Sequence, residues 1–424
     1  MKLLVVGGGG REHAIIKKLK ESPRITEIFA TPGNGGIAQD ATCVPISATA
    51  VDEIVSFAQK ESIDFVVVAP DDPLALGCVD KLEAVGIPAF GPNQAAARIE
   101  SSKVFSKDLM KKYNIPTANY AVFTDVASAT AYLETQSMPI VIKADGLALG
   151  KGVVIALTLD EAVTAVRSMM EDKVFGDAGR FVVIEEFLTG PEVSVLAFTD
   201  GTAIAPMVSS MDHKRALDGD QGLNTGGMGT VAPNPCYTAD LAEISIETIF
   251  LPTLAAMRAE GCPFKGCLYF GLMLTEKGPK VIEYNCRFGD PETQVVLPLL
   301  GSDLLTIMES TVNGTLSGLD IQWKSGSAVC VVMASGGYPQ AYAKGVPMTI
   351  GDMDATCYHA GTALKDGQLV TAGGRVLGIT ATADTLAEAM EKAYTATNAV
   401  TFAGAHKRTD IGRKALNFLE DSRG

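Results

Sequence analysis

Val281-Ile282-Glu283-Tyr284-Asn285-Cys286-Arg287-Phe288-Gly289-Asp290-Pro291-Glu292 is the stretch on which the reading of this chain turns. Side chains on a strand alternate between faces, so Glu283, Asn285 and Arg287 are expected to project to one side. A carboxylate and an amide offer hard oxygen donors of the kind Mg2+ takes, with substrate phosphates filling its remaining positions. Arg287 is placed to clamp a carboxylate or phosphate through two parallel N–H groups. An ordinary half-solvated strand face is the other reading, but it gives no reason for the Arg-Phe-Gly-Asp-Pro turn that follows. The strand has a predecessor at 266–274, joined to it through Glu276-Lys277-Gly278, so the surrounding sheet is expected to be antiparallel.

Working towards the N-terminus, β-type runs at 192–199, 180–187, 152–157 and 139–143 follow a helical pattern over 103–112, which makes an α+β unit. Lys143-Ala144-Asp145-Gly146-Leu147-Ala148-Leu149-Gly150-Lys151-Gly152-Val153 departs from a Walker loop: three residues separate Gly146 from Gly150, and Gly152 stands where Ser or Thr would follow the Lys. It joins two β-type runs, so it reads as a hairpin lid whose backbone N–H groups can fold over phosphates, with Lys143 as a point charge on the preceding strand. A plain glycine hairpin with a solvated Lys is the alternative. Glu185-Glu186-Phe187-Leu188 ends an apolar strand, with Glu192 just past a turn. A nucleobase and ribose hydroxyls could use that arrangement, and a solvated strand end explains it equally well. Between 212 and 229, Asp212-His213-Lys214-Arg215 and Asn224-Thr225-Gly226-Gly227-Met228-Gly229 bracket a polar loop too long for a plain connection. Its glycines suggest backbone wrapped around something small, against the alternative of a solvated face.

The first hundred residues alternate short apolar runs (3–6, 25–30, 65–69, 87–90) with helical patterns (12–20, 51–61), which implies a parallel, doubly wound sheet. Gly7-Gly8-Gly9-Gly10-Arg11-Glu12 after the first strand fails the dinucleotide fingerprint, because Glu12 stands at the third glycine position and no acidic residue ends the second strand. The turn suits the phosphate of a smaller ligand, with Arg11 as its charge partner, or serves only as a tight bend. Beyond Trp323, short strands and one helix near 385–397 suggest a third, smaller domain. The expected division is 1–102, 103–323 with a lid subdomain at about 121–190, and 324–424.

The whole-chain numbers agree with a multidomain enzyme. The 424 residues are 47% hydrophobic and 20% charged, which excludes disorder and exceeds one core. A net charge of −14 disfavours nucleic acid and anionic lipid as partners, so any anionic ligand needs a closed pocket of local donors. The eight Cys form no CxxC pair and are read as reduced, buried thiols. No stretch reaches the roughly 18 apolar residues of a membrane span, and a cytoplasmic protein is expected.

These strings together resemble the ATP-grasp ligases, and among them the phosphoribosylamine–glycine ligase family of purine biosynthesis. The resemblance spans nearly the whole chain, from Gly7–Ala14 and Pro32-Gly33-Asn34-Gly35-Gly36 to Arg408-Thr409-Asp410-Ile411-Gly412. It implies an N-terminal Rossmann-like parallel sheet, a central ATP-grasp fold with a hairpin lid, and a small β-rich C-terminal domain. It implies ATP and Mg2+ or Mn2+ as cofactors, glycine and 5-phosphoribosylamine as substrates, and a monomer or weak homodimer. By motif position, Lys103 and Lys143 would contact ATP phosphates beneath Gly146, Gly150, Lys151 and Gly152, while Glu185, Phe187 and Leu188 would meet adenine and Glu192 the ribose. Glu283 and Asn285 would hold the metal. Gly9, Arg11, Glu12, Asn34, Gly35 and Gly36, with Asn224, Thr225 and Gly226, would bind substrate, and Asp212, Lys214, Arg287 and Asp290 would face glycine or its acyl phosphate. Two departures stand out: Ala69-Pro70-Asp71 where the family has Gly-Pro-Glu, and Leu223 where it has Pro. A related ATP-grasp enzyme acting on another small acid and a nucleotide sensor without turnover remain as alternatives.

Overall fold

The computed structural model describes residues 1–147, 152–172 and 176–421. Its first sheet is five-stranded and parallel, in the order Thr42–Cys43, Glu27–Pro32, Lys2–Gly7, Phe65–Val68, Ala89–Phe90. The unbroken apolar run Leu3-Leu4-Val5-Val6 is what a central strand covered on both faces requires. Leu3 and Val5 pack with Ile15, Ile16 and Leu19 of the helix Gly10–Leu19. Leu4 and Val6 pack on the other side with Ile54 of Val51–Lys60 and Leu82 of Cys78–Ala84.

The central sheet is antiparallel, in the order Ile204–Pro206, Glu192–Asp200, Lys265–Thr275, Gly278–Asn285. Beside it stands a second four-stranded antiparallel sheet, in the order Tyr120–Phe123, Val182–Glu186, Ile140–Ala144, Val153–Ala156. Helices Val126–Leu133 and Leu159–Met170 cover it and give it a core of its own. This is the expected lid. Just before its first strand, Thr117 forms a parallel bridge to Val281 of the central sheet. Between the two sheets runs the helix Lys103–Lys112, started by Ser102, whose hydroxyl accepts the Phe105 N–H at 3.1 Å.

The C-terminal sheet has the order Met211–Asp212, Gly229–Ala232, Ser327–Ala334, Arg375–Ala383, Thr356–His359, all antiparallel. Two of its strands therefore come from far upstream. The 212–229 stretch, expected as a long polar loop, instead folds into the hairpin Arg215–Leu217 with Gln221–Asn224 between those strands. Gln221–Asn224 is exposed at every residue, so no apolar alternation marked it as a strand. The helix expected over 239–259 is interrupted by a π-turn at Ile246–Phe250, next to Pro252, which lacks the N–H an unbroken ladder needs. A second helix in the C-terminal part, Arg413–Asp421, joins the expected one at Leu386–Thr397. Cys43 and Cys357 are half-buried where burial was expected; the other six Cys are buried, and all eight are free.

Candidate active site

A cavity of about 540 Å³ lies between the lid sheet and the central sheet, and residues of the N-terminal and C-terminal parts also reach it. At its lid end stands an ion cluster. Glu185, 3% exposed near the end of Val182–Glu186, lies 3.0 Å from Lys143 Nζ and 2.9 Å from Lys107 Nζ. Lys143 also donates to the Ile282 carbonyl at 3.1 Å. That carbonyl is available because the pairing of Lys265–Thr275 with Gly278–Asn285 slips between Gly271 and Leu272, leaving Ile282 as an extra residue. Lys107 donates to Thr117 Oγ1 at 2.8 Å, and Thr117 in turn donates to the Val281 carbonyl at 2.7 Å. Burial pulls the Lys107 ammonium down to about 8 against the opposing pull of Glu185. Burial works to raise the Glu185 carboxyl, and Lys143 and Lys107 outweigh it, so the group stays below its ordinary value.

Lys103, at the start of its helix, donates to the Gly146 carbonyl at 2.8 Å, and burial lowers its ammonium. Gly146, Gly152, Phe187 and Leu188 line the same end of the cavity. Gly150 and Lys151 lie outside the described residues. Glu192, largely exposed, stands 3.5 Å from Lys214 Nζ.

Glu283 and Asn285 both line the cavity, two positions apart on one strand as the alternation predicts. Lys214 Nζ lies 3.7 Å from Glu283 Oε1. Burial would raise the Glu283 carboxyl, but Lys214, Lys143 and Lys103 together hold it below its usual range. The Asn285 amide nitrogen is spent on the Tyr284 carbonyl at 2.8 Å, which leaves the amide oxygen as the atom able to coordinate. Among the described residues no group of three His, Cys, Asp or Glu could hold a metal by itself. Two oxygen donors beside two lysines fit a divalent ion that arrives with phosphates and suit a closed protein cage poorly.

Arg287 falls just beyond the strand end at Asn285, yet it lines the cavity with the other two residues. Its Nη2 lies 3.0 Å from Glu100 Oε1, and its Nε is buried without a partner among the described residues. Arg11, from the N-terminal turn, repeats the pattern: Nη1 is 3.3 Å from Glu12 Oε1 and Nε is again buried and unpartnered among the described residues. Asp212 presents a buried Oδ1 with no partner among the described residues, and burial together with nearby Glu292 pushes its carboxyl well above the ordinary value. Asp290 accepts from Gln294 at 2.8 Å, while Lys214, Asn224, Thr225 and Gly226 complete this wall.

Gly9, Glu12, Asn34, Gly35 and Gly36 are not brought to the cavity surface. Glu12 is buried and accepts the Gly9 N–H at 2.5 Å, which closes the start of the helix Gly10–Leu19. The Asn34 amide donates to the carbonyls of Gly8 and His359, both at 2.9 Å, and its oxygen accepts from Gly36 and Ile37 at 2.9 and 2.8 Å. A Cβ on Gly36 would lie 1.9 Å from the His359 ring. These residues hold the N-terminal sheet against the C-terminal one. The buried His13 does the same, taking the His359 N–H at 2.8 Å while facing Asp40 at 2.9 Å.

Family models match the chain over three consecutive segments: the N domain of phosphoribosylglycinamide synthetase over residues 1–100, its ATP-grasp domain over 101–293, and its C domain over 328–414. The chain belongs to the phosphoribosylglycinamide synthetase family. Membership makes it an ATP-grasp ligase of purine biosynthesis, as the motifs implied. A phosphoribosylamine–glycine ligase from Rhizobium meliloti is 48% identical over 98% of this chain and 99% of its own length. The crystal structure of a phosphoribosylamine–glycine ligase from Thermotoga maritima superposes with a TM-score of 0.87 at 36% identity, covering 97% of this chain and 100% of that one. A biotin carboxylase from Campylobacter jejuni, 13% identical over 96% of this chain and 92% of its own, shares the fold with a TM-score of 0.75.

Several cavity residues escaped the sequence reading of this family member. Lys107 had a usable signal, since it lies four positions after Lys103 and so on the same helical face. Glu100, Glu292, Tyr338 and Arg375 had none, because each arrives through the tertiary fold. Asp71, one of the departures from the family pattern, lines the cavity, whereas Leu223 is 52% exposed.

Proposed function

We propose that the cavity joins glycine to 5-phosphoribosylamine at the expense of ATP, giving glycinamide ribonucleotide, ADP and phosphate through glycyl phosphate. The observation that carries this reading is the convergence, in one cavity, of the Lys103 and Lys143 ammonium groups, the Glu283 and Asn285 oxygens, and two guanidinium Nε atoms buried without partners. A carboxylate cannot be displaced by an amine until one oxygen becomes a leaving group, and phosphorylation supplies that. Lys103 and Lys143 hold the phosphates beneath the lid. Glu185, kept ionised between two lysines, accepts the exocyclic amine of adenine, with Phe187 and Leu188 beside the base and Glu192 at the ribose.

Glu283 and Asn285 would hold a divalent cation, Mg2+ or Mn2+, which when bound offsets charge on the transferring phosphoryl group. Arg287 and Arg11 each have one N–H free to take an oxyanion, the acyl phosphate on one side and the phosphoribosyl phosphate on the other. Asp212 Oδ1 accepts an N–H of the amine partner, and Lys214 and Asp290 frame it. The amine attacks the acyl carbon, phosphate leaves, and the lid excludes water. Catalysis of this kind is positioning and electrostatics, and it needs no covalent enzyme intermediate. An ADP-release assay in which ATP, glycine and phosphoribosylamine are omitted one at a time tests the reading. ADP production that persists without glycine or without the amine, or that requires another acid, refutes it.

A further inference from the structure

The segment 212–229 reaches the acyl-transfer end of the cavity with Lys214, Asn224, Thr225 and Gly226. Its flanking strands, Met211–Asp212 and Gly229–Ala232, belong to the C-terminal sheet. Two arginines from the same part of the chain hold what lies between them. Arg375 donates from Nη1 to the carbonyls of Gly226 at 2.6 Å and Asp290 at 2.7 Å, bridging the two sides of the cavity wall. Tyr338 accepts the Gly226 N–H at 3.1 Å, and a Cβ at Gly226 would lie 2.9 Å from the Arg375 guanidinium carbon.

The far end of the hairpin is held from the motif Arg408-Thr409-Asp410-Ile411-Gly412. Arg408, 1% exposed, donates through Nε and Nη2 to Asp410 at 2.7 and 2.8 Å, and through Nη1 to Asp220 at 2.9 Å and the Arg215 carbonyl at 3.1 Å. Thr409 donates its N–H at 2.7 Å and its hydroxyl at 2.5 Å to Asp218, and Asp410 accepts the Gly219 N–H at 2.9 Å. His213 faces away from the cavity and accepts the Gly412 N–H at 3.2 Å.

A buried guanidinium is expensive to desolvate and is often replaceable by apolar residues without loss of stability, whereas its rigid fork of donors fixes geometry. We infer that Arg375 and Arg408 are positioning residues: they fix segment 212–229 against the C-terminal sheet so that Lys214 and Asp212 stand at the acyl phosphate and water stays out. This rests on the proposed reaction. A loosened segment admits water, which attacks the acyl carbon in place of the amine and releases glycine and phosphate, so ADP forms without product.

The test uses Arg408→Lys and Arg375→Lys, which keep the charge and lose the fork, and Thr409→Val, whose exposed contacts make it the mildest change. Misplacement of this kind lowers rate by about 10- to 100-fold. The expected result is that fall in kcat, an ADP-to-product ratio above that of the parent, and affinity for a non-hydrolysable ATP analogue within twofold. Rates and ratios equal to the parent's in the variants that fold overturn the inference, as does a rate loss matched by equal loss of analogue affinity. If Arg408→Lys fails to fold, Arg375→Lys and Thr409→Val decide by the same criteria. Failure of the parent itself to couple ADP release to both substrates would instead overturn the reaction.

Discussion

Replacing Glu185 with Gln removes the one negative charge between two buried ammonium groups, and the consequence can be worked from the structure. Lys107 is 2% exposed and titrates at about 8 against an ordinary 10.5, with burial pulling it down and Glu185 the main force opposing that pull. At about 1.36 kcal/mol per unit, this already costs the fold roughly 3 kcal/mol at neutral pH. Without the carboxylate, burial pulls the ammonium down further. Holding Lys107 fully neutral at pH 7 costs at most about 5 kcal/mol against an unfolded Lys, so roughly 1–2 kcal/mol is new. Loss of the ion pair with Lys143, at 3.0 Å, adds about 1.5 kcal/mol. The expected destabilisation at pH 7 is therefore about 3 kcal/mol.

The sign of its pH dependence follows. A lysine whose folded pKa is depressed binds fewer protons folded than unfolded, so stability rises with pH. For the parent that rise runs from about 8 to 10.5; for Glu185→Gln it begins at lower pH. Urea unfolding followed from about pH 6.5 to 9 should show the gap between the two proteins shrinking by roughly 1–2 kcal/mol as pH passes from 7 to above 8. A gap that stays flat across that range would mean Glu185 does not hold the Lys107 proton, and the ion cluster would lose its place in the site.

Three further outcomes follow from single sites. His213 and His359 are buried with pKa values pulled down to about 4 by desolvation, so each destabilises the fold as pH falls from about 6.5 towards 4, by at most roughly 3 kcal/mol. His213→Gln should lower proton uptake on acid unfolding by about one, and unchanged uptake would contradict its burial as a neutral ring. Gly36→Ala places a Cβ 1.9 Å from the His359 ring and should cost about 1–3 kcal/mol in thermal unfolding while ATP-analogue affinity stays within twofold; an unshifted melting curve would show that this junction yields easily. Arg287→Ala leaves buried Glu100 unpaired at a cost of about 3–5 kcal/mol, so Arg287→Lys is the cleaner probe. Turnover by Arg287→Lys should fall at least about 100-fold with the fold intact, and near-normal kcat would remove Arg287 from the site.

What could be read from the sequence, and what could not, follows from the range of the interactions. Leu3–Val6 and the helix Lys103–Lys112 were legible because their signals, an unbroken apolar run and a helical pattern, are local. Glu283 and Asn285 were legible because a period of two is all that brings them to one face. The partners that set their chemistry were not. Lys214, a named candidate whose partner no local signal gave, reaches Glu283 from just before the strand Arg215–Leu217, and Lys107 reaches Glu185 across two elements. Arg375 joins residues about 150 and 85 positions away, with separations of 149 to Gly226 and 85 to Asp290.

The glycine-rich turns mark the limit of such reading. Asn34-Gly35-Gly36 and Asn224-Thr225-Gly226-Gly227 look alike in the sequence, since both allow backbone to come very close to something. At Gly36 that something is the His359 ring of the C-terminal sheet, and at Gly226 it is the Arg375 guanidinium at the cavity wall. Excluded volume has the same composition whether a ligand or a distant part of the chain fills it. The distinction comes from what the neighbouring polar atoms do. The Asn34 side chain is satisfied by backbone groups and the Thr362 hydroxyl, whereas Asp212, Arg11 and Arg287 each retain a buried atom without a partner among the described residues. A buried polar atom left unsatisfied costs about 1–3 kcal/mol, which a fold tolerates where a ligand will supply the missing bond. On that criterion the unsatisfied atoms among the described residues of the cavity wall run from Arg11 through Arg287 to Asp212, while the Asn34 turn joins the N-terminal sheet to the C-terminal one.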